Sequence, residues 1–299
     1  MIKNLLLVTG GAGFVGTNLI KKILIETKFN VLSIDNYSSG NKKNHVRNER
    51  VKYIYGNTSN IKDLLKPYKN KINAIFHFGE FSRIYQSFIK HNQCFESNTT
   101  GTLAVFQFCL ENKIKLIYSA TSAGLGNANK GKNLSPYAFT KSRNLELLNN
   151  LKKWFNFKYE AIYFYNVYGP HQICKGEMAT VIGIFENQKI NKETLTIVKP
   201  GTQLRRFTHI DDTIEVCLEA WKNKKCLHYS IYNKKTYSIK EVAKMFKSSV
   251  KYLPDRLGER FSSSLSNSNL SNKIHKRFGK TNLKKYISDF LKNNTTAKN

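Results

Sequence analysis

The sequence predicts an α/β fold built on a parallel sheet, and three observations carry that prediction. Short apolar runs alternate with helical stretches through the first half of the chain. A glycine-rich turn joins the first run to the first helical stretch. A carboxylate closes the second run.

Leu5–Val8 reads as a buried strand, followed by a helix through Leu19, Ile20, Ile23 and Leu24. Val31–Ile34 is the next strand, and a polar loop runs from Asn36 to Asn48. Val51–Tyr55 and Ala74–Phe78 are further strands, with Pro67 closing the helix between them. A helix over Thr102–Leu110 leads to the strand Leu116–Ser119. Another, from Tyr137 towards Trp154, leads to Tyr159–Phe164. Strands separated by helices imply right-handed crossovers and a parallel sheet.

After Tyr165 the pattern loosens. Helices are expected at Ala179–Gln188 and Asp212–Trp221. Ser238–Phe246 opens with Ser238 as cap and Glu241 three residues on, a capping box. Ser262–Ser271 reads as a loop and Asn293–Asn299 as a fraying tail. The expected organisation is a nucleotide-binding domain over 1–165 and a smaller substrate-binding C-terminal lobe over 166–299, with some elements interleaved.

Composition bounds the function. At 299 residues, with 40% hydrophobic and 12% aromatic residues, the chain holds a substantial core and is too apolar for disorder. The apolar run at the N-terminus is too short for a signal peptide or membrane span, so no membrane association is expected. The five cysteines Cys94, Cys109, Cys174, Cys217 and Cys226 show no C-x-x-C spacing. They argue against a disulfide framework or a cysteine metal site and fit a reducing cytoplasm. His171 and His209 have no metal-ligand spacing, and no metal site is predicted.

The charge is large: 49 Lys+Arg against 20 Asp+Glu give +29. Such a balance is the footprint of a nucleic-acid binder. Yet only nine of the basic residues are Arg, and the lysines are scattered. Solvated surface lysines therefore explain the charge better than a dedicated nucleic-acid face.

Thr9-Gly10-Gly11-Ala12-Gly13-Phe14-Val15-Gly16 lies between the first strand and the first helix. Glycines at 10, 13 and 16 allow a tight turn, close backbone approach to a pyrophosphate, and close helix–strand packing. The helix N-terminus then offers free N–H groups to that anion. This is a Rossmann-type signature. Asp35, 19 residues beyond Gly16, is placed to accept hydrogen bonds from the adenosine ribose and to repel a 2′-phosphate, which favours NAD over NADP.

Tyr137-Ala-Phe-Thr-Lys141 puts a phenol and an ammonium one helical turn apart on one face. A nearby positive charge favours the phenolate, making Tyr137 a usable base near neutrality. The pair opens the helix after the Leu116–Ser119 strand, whose C-terminal end faces the cofactor crevice. The hydroxyls of Tyr118–Ser122 follow that strand directly. His77 reads as structural, since Tyr137 already supplies the proton chemistry.

With these residues in order, the chain resembles the NAD-dependent nucleotide-sugar epimerase/dehydratase family of extended short-chain dehydrogenases/reductases. The likeness runs from about residue 2 to about residue 290. Its marks are Thr9–Gly16, Asp35-Asn36, Ile75–Phe78, Tyr137/Lys141, Tyr165–Pro170, Gln203–Asp212 and Arg256–Glu259. The resemblance implies NAD held by Gly10, Gly13, Phe14, Val15, Gly16, Asp35 and Asn36, with help from Tyr137 and Lys141. It implies Thr121, Tyr137 and Lys141 as the catalytic set. Thr121 would bond the sugar hydroxyl, Tyr137 would act as general base, and Lys141 would bind the nicotinamide ribose. Asn166, Arg205 and Arg256 would hold the diphosphate end of a sugar nucleotide, together with Thr121 at the sugar.

Dehydratases of the family follow the catalytic Thr with an Asp-Glu pair, whereas Thr121 is followed by Ser122-Ala123. The resemblance therefore leans to the UDP-glucose 4-epimerase type: transient oxidation at C4 to a keto-sugar, with NAD kept tightly bound. Lys175-Gly-Glu-Met-Ala resembles a segment of ADP-heptose 6-epimerases in which the lysine is a second acid/base; a surface lysine is the competing reading. Gly79-Glu80-Phe81-Ser82-Arg83 departs from the small apolar residues usual there, so Glu80 and Arg83 are candidate specificity residues. A net nucleotide-sugar oxidoreductase and an NAD-holding nucleic-acid-binding module remain the alternatives. A homodimer packed through the helices near Thr102–Leu110 and Leu145–Trp154 is an open possibility.

Overall fold

A computed structural model describes residues 3–125, 133–223, 225, 227–259 and 278–296. The elements in chain order begin with β1 (Leu5–Thr9), α1 (Phe14–Glu26), β2 (Asn30–Asp35) and β3 (Val51–Tyr55). A short α2 (Ile61–Leu64) precedes β4 (Ile72–His77), and α3 (Gln86–Ile89) and α4 (His91–Phe95) lead through a π-helical turn, Glu96–Gly101, into α5 (Thr102–Glu111). Then come β5 (Lys115–Thr121), α6 (Pro136–Phe155), β6 (Tyr159–Phe164) and β7 (Val167–Tyr168). The remainder comprises α7 (Val181–Ile190), β8 (Leu195–Val198), β9 (Leu204–Arg206), β10 (Thr208–His209), α8 (Ile210–Lys222), β11 (His228–Ser230), β12 (Thr236–Ser238), α9 (Ile239–Met245), β13 (Val250–Leu253) and α10 (Leu283–Thr296).

Seven strands form one sheet in the order β11-β6-β5-β4-β1-β2-β3, and every pairing in it is parallel. All five residues of β1 are buried, as a strand covered by helices on both faces must be. One face packs Leu7, Leu32, Ile75 and Leu116 under α5 and α6, with Phe106 and Leu148 at its centre. The other packs Leu6, Val8, Phe76 and Ile162 under α1 and α8. A third apolar cluster around Phe185, Phe207, Phe246 and Leu283 forms the core of the C-terminal elements.

The predicted strands and the major helices are present, and the Ser238/Glu241 capping box forms with both hydrogen bonds. Three features extend the sequence reading. The strand β11 joins the main sheet although it lies beyond residue 166, and α8 packs on the same layer, so elements of the later half interleave with the first. The expected polar tail from Asn293 instead continues α10 to Thr296, because Leu283 and Ile287 anchor that helix in the third cluster. The chain between β4 and α5 forms α3, α4 and the π-helical turn, elements for which the sequence carries no clear period. The Ser262–Ser271 loop lies outside the described residues. Cys94, Cys109, Cys174 and Cys217 are free thiols, and Cys226 lies outside the described residues. Among the described residues no helix is long and apolar enough to cross a membrane, and no His/Cys/Asp/Glu group could hold a metal ion.

Candidate active site

The carboxyl ends of the central strands open into one crevice of about 710 Å³. Open α/β sheets bind ligands at this edge, where strand order reverses between β1 and β4. The crevice is lined by Gly10, Gly13, Phe14, Val15, Gly16, Asp35, Asn36, Thr121, Tyr137, Lys141, Asn166, Arg205 and Arg256. Of the residues expected at the site, Lys175 alone is outside this lining: it is exposed on the segment before α7.

The glycine turn is tight in a way that only glycine permits. Gly10 has φ +70°, and a Cβ there would sit 2.9 Å from the Gly79 nitrogen. A Cβ on Gly16 would lie 2.2 Å from the Gly10 carbonyl oxygen. The chain thus folds back under α1, whose first amides carry no side-chain cap and face the crevice. These bare amides and glycines fit a pyrophosphate. Asp35 completes the fit. Its Oδ2 accepts from the Ala12 amide at 2.8 Å and its Oδ1 from the Tyr37 amide at 2.8 Å. Burial pushes its carboxyl up, and the two amide hydrogen bonds oppose that. Asn36 donates from Nδ2 to Asn57 Oδ1 at 2.7 Å, tying the end of β2 to the exit of β3.

Thr121 ends β5 and is buried, its Oγ1 accepting from the Ala123 amide at 3.1 Å. Ser135 caps α6 by accepting from the Ala138 amide, with Pro136 at the first helical position. That cap fixes where Tyr137 and Lys141 emerge. Tyr137 packs with Phe81, Ala123 and Ala138, flanked by Ile84 and Met178. Lys141 lies beneath, 3% exposed, and donates to the Ser119 carbonyl at 2.6 Å.

Sequence reasoning marked Glu80 as unusual but did not foresee its partner. The Glu80 carboxylate forms an ion pair with Lys141 in which both side chains are almost wholly buried. Four further donors converge on it: Thr102 Oγ1 at 3.0 Å, Tyr118 OH at 3.1 Å, Ser119 Oγ at 3.2 Å and Asn144 Nδ2 at 3.5 Å. Burial pushes the Lys141 ammonium down, and Glu80 works against that shift. No spacing rule links residue 80 to residue 141, so only the appearance of a lone carboxylate in an apolar loop could have drawn attention to it.

His77 is fully buried, with Thr9 Oγ1 2.8 Å from Nδ1 and Thr102 Oγ1 3.0 Å from Nε2. Thr9 Oγ1 already accepts from the Phe78 and Gly79 amides, so its own O–H goes to Nδ1, and Nε2–H then donates to Thr102. Burial pushes the imidazole down to about 4, so it stays neutral. It is a bracing group between β1, β4 and α5.

At the opposite end, Arg205 is paired with Glu259 beside Arg256, which stacks over Tyr85 with its guanidinium carbon 5.1 Å from the ring centre. Asn166 takes φ +36°, and its Nδ2 donates to the Arg206 carbonyl at 2.8 Å.

A glycine cradle, a buried carboxylate at the end of β2 and a buried Tyr/Lys pair line one crevice, the arrangement of a dinucleotide-dependent enzyme. Residues 6–233 match the NAD dependent epimerase/dehydratase family, and the chain belongs to that family, whose cofactor is NAD. Among curated relatives, an ADP-L-glycero-D-manno-heptose-6-epimerase of Brachyspira hyodysenteriae is 33% identical over 228 residues, covering 71% of this chain and 70% of its own length. A putative UDP-glucose 4-epimerase of Methanocaldococcus jannaschii is 30% identical over 236 residues, covering 73% of this chain and 74% of its own. The fold is similar to that of the UDP-glucose 4-epimerase of Thermus thermophilus in complex with NAD, with TM-score 0.85, 21% identity and coverage of 98% and 99% of the two chains.

Proposed function

We propose that this enzyme is a redox-neutral nucleotide-sugar epimerase of the UDP-hexose 4-epimerase type. The observation that carries the reading is that Thr121, Tyr137 and Lys141 share one crevice with the glycine cradle, while Arg205 and Arg256 line the same crevice. A cofactor diphosphate suits the cradle, and a substrate diphosphate suits the two guanidiniums. NAD, when bound, supplies reversible two-electron oxidation at the sugar carbon.

The chain's own residues do the rest. Gly10, Gly13, Gly16 and Asp35 hold NAD, and Asn166, Arg205 and Arg256 hold the sugar nucleotide. Thr121 orients the reacting hydroxyl through its Oγ1. Tyr137 takes the hydroxyl proton at Oη as the carbon is oxidised and returns it when the ketone is reduced. The base is regenerated within each turnover, and Lys141 stays beneath it. Ser122 and Ala123 offer no carboxyl for elimination, which favours epimerisation over net dehydration.

A heptose-type epimerase is the second reading, favoured by the Brachyspira relative. Against it stands the exposure of Lys175, outside the crevice lining. The free thiols fit a cytoplasmic enzyme.

The test is incubation with UDP-glucose, UDP-galactose, UDP-N-acetylglucosamine and an ADP-heptose without added cofactor. Interconversion of a UDP-hexose pair, with no net change in NADH absorbance, is the expected result. Stoichiometric NADH formation or consumption would point to a net oxidoreductase, and turnover of the ADP-heptose alone to the second reading. Tyr137→Phe should lower turnover about 100-fold or more while NAD stays bound.

A further inference from the structure

The loop after β4 brings two charged side chains to the crevice that holds Tyr137 and Lys141. One is Glu80, whose carboxylate sits directly on the Lys141 ammonium. The other is Arg83, three residues on. Arg83 lines the crevice and donates through Nε to the Met178 carbonyl at 2.9 Å, with Nη2 on the same oxygen and Nη1 on the Ser82 carbonyl at 3.0 Å. Met178 packs against the Tyr137 cluster, as do Phe81 and Ile84 on either side of Arg83. Among the described residues, no carboxylate lies within ion-pair distance of this guanidinium.

We propose that Glu80 and Arg83 are an opposed pair of charges that set how readily Tyr137 gives up its proton. Glu80 cancels the field of Lys141, and Arg83, held on the Met178 carbonyl against the Tyr137 cluster, supplies the uncompensated cation on that side. The inference rests on Tyr137 being the base of the proposed reaction.

The electrostatic argument is one of compensation. An ammonium in contact with a carboxylate is, a few ångströms away, close to a neutral dipole, and its pull on a phenolate is correspondingly weak. Lys141 therefore keeps its geometry, held by Ser119 O and by its approach to the Tyr118 ring at 4.6 Å, while losing much of its reach. Among the described residues the Arg83 guanidinium has only carbonyl oxygens as hydrogen-bond partners, so no carboxylate there cancels its charge. Its Nε and Nη2 rest on the carbonyl of Met178, a residue packed against the Tyr137 cluster, which holds the charge on that side of the crevice; burial pushes Arg83 down.

The other groups around the pair leave this balance in place. His77 on β4 is neutral, and Tyr118 on β5 is held protonated by burial and by Glu80. Cys94 on α4 is pushed up to about 11, so it carries no charge near neutrality. Lys90 and Glu177 cancel each other as an ion pair. Glu96 lines the crevice and Arg256 stacks on Tyr85; both are unchanged by substitutions at 80 and 83, as is the bound cofactor.

The experiment titrates Tyr137 in the NAD-loaded enzyme, as phenolate absorbance in difference from Tyr137→Phe, alongside the acid limb of kcat/KM. Glu80→Gln keeps the hydrogen-bonding shape and should move both curves about one pH unit towards acid. Arg83→Gln should move them by a similar amount towards alkali, and Arg83→Lys should restore the wild-type position. The double variant Glu80→Gln/Arg83→Gln should lie near wild type. Equal-direction shifts, or an Arg83→Gln enzyme whose KM rises while its acid limb stays put, would overturn the proposal. Should Glu80→Gln not fold, the Arg83→Gln and Arg83→Lys pair decides by itself. Full activity in Tyr137→Phe would instead overturn the assignment of the base.

Discussion

Arg205 and Glu259, 54 residues apart in sequence, form an ion pair across the crevice lining, on elements that the sheet alone does not hold together. Arg205 is buried, and burial pushes its guanidinium down while Glu259 holds it up. On the proposed function, a substrate diphosphate entering here would compete with Glu259 for the same donors. Arg205→Gln should raise the Kd for UDP on the order of 10-fold or more, since a charge-assisted hydrogen bond is lost. Glu259→Gln should lower it. Isothermal titration with UDP on the NAD-loaded enzyme checks both signs.

On the proposed reading, Asp35 sets cofactor choice. Its carboxylate braces the glycine turn through the Ala12 amide and also lines the crevice. Asp35→Ala should cut NAD retention about 10-fold and narrow the preference over NADP, because the charge that repels a 2′-phosphate is gone. Burial raises the Asp35 carboxyl, so wild-type NAD affinity should begin to fall at a higher pH than an ordinary carboxylate would dictate. Cofactor content after purification, and fluorescence titration at several pH values, measure this.

Gly16 admits no side chain. A methyl at that position would meet the Gly10 carbonyl at 2.2 Å, a backbone atom that cannot step aside. Gly16→Ala should cost about 1–3 kcal/mol of stability and release NAD. Thermal unfolding with and without added NAD separates the two effects.

His77 makes stability depend on pH. Its folded-state value is about 4 against an ordinary 6.5, so between those values the unfolded chain binds more protons than the folded one. Stability should therefore rise with pH across that window and fall as the solution is acidified through it. The size is on the order of 3 kcal/mol for this group. Denaturant unfolding of wild type and His77→Asn, followed from neutral pH downward, should show the dependence weakened in the variant.

Apolar side chains remain uncovered on the helices beside the site. Phe95, Leu103 and Phe139 are 38%, 43% and 37% exposed, and Phe95 meets Phe139 edge to face at 6.4 Å. A second copy of the chain would cover them through α4, α5 and α6. A homodimer packed through this face predicts a dimer for the wild type and a monomer for Leu103→Glu in analytical ultracentrifugation, with the NAD cradle intact; a monomeric wild type would overturn it.

The frame of the molecule is written locally in the chain. The period of the apolar runs specifies strand or helix, and glycines 10, 13 and 16 specify a turn that other residues cannot make. Hence the sheet, the glycine turn, the Asp35 position and the Tyr137/Lys141 spacing are all legible in the sequence. These are short-range properties, settled by sterics and periodicity within a few residues.

The charges and the far elements took their form only from packing in three dimensions. Whether Lys141 stands alone or on a carboxylate depends on residue 80, which reaches it only because β4 and β5 lie side by side. The three-residue β11 is too short to show a period, and it joins the sheet because β6 offers an open edge. The helix α10 is polar along most of its length and forms because Leu283 and Ile287 find a prepared core. Lys175 matched a motif and yet lies at the surface. A Coulomb interaction depends on distance through space, and distance through space is what a linear chain does not record.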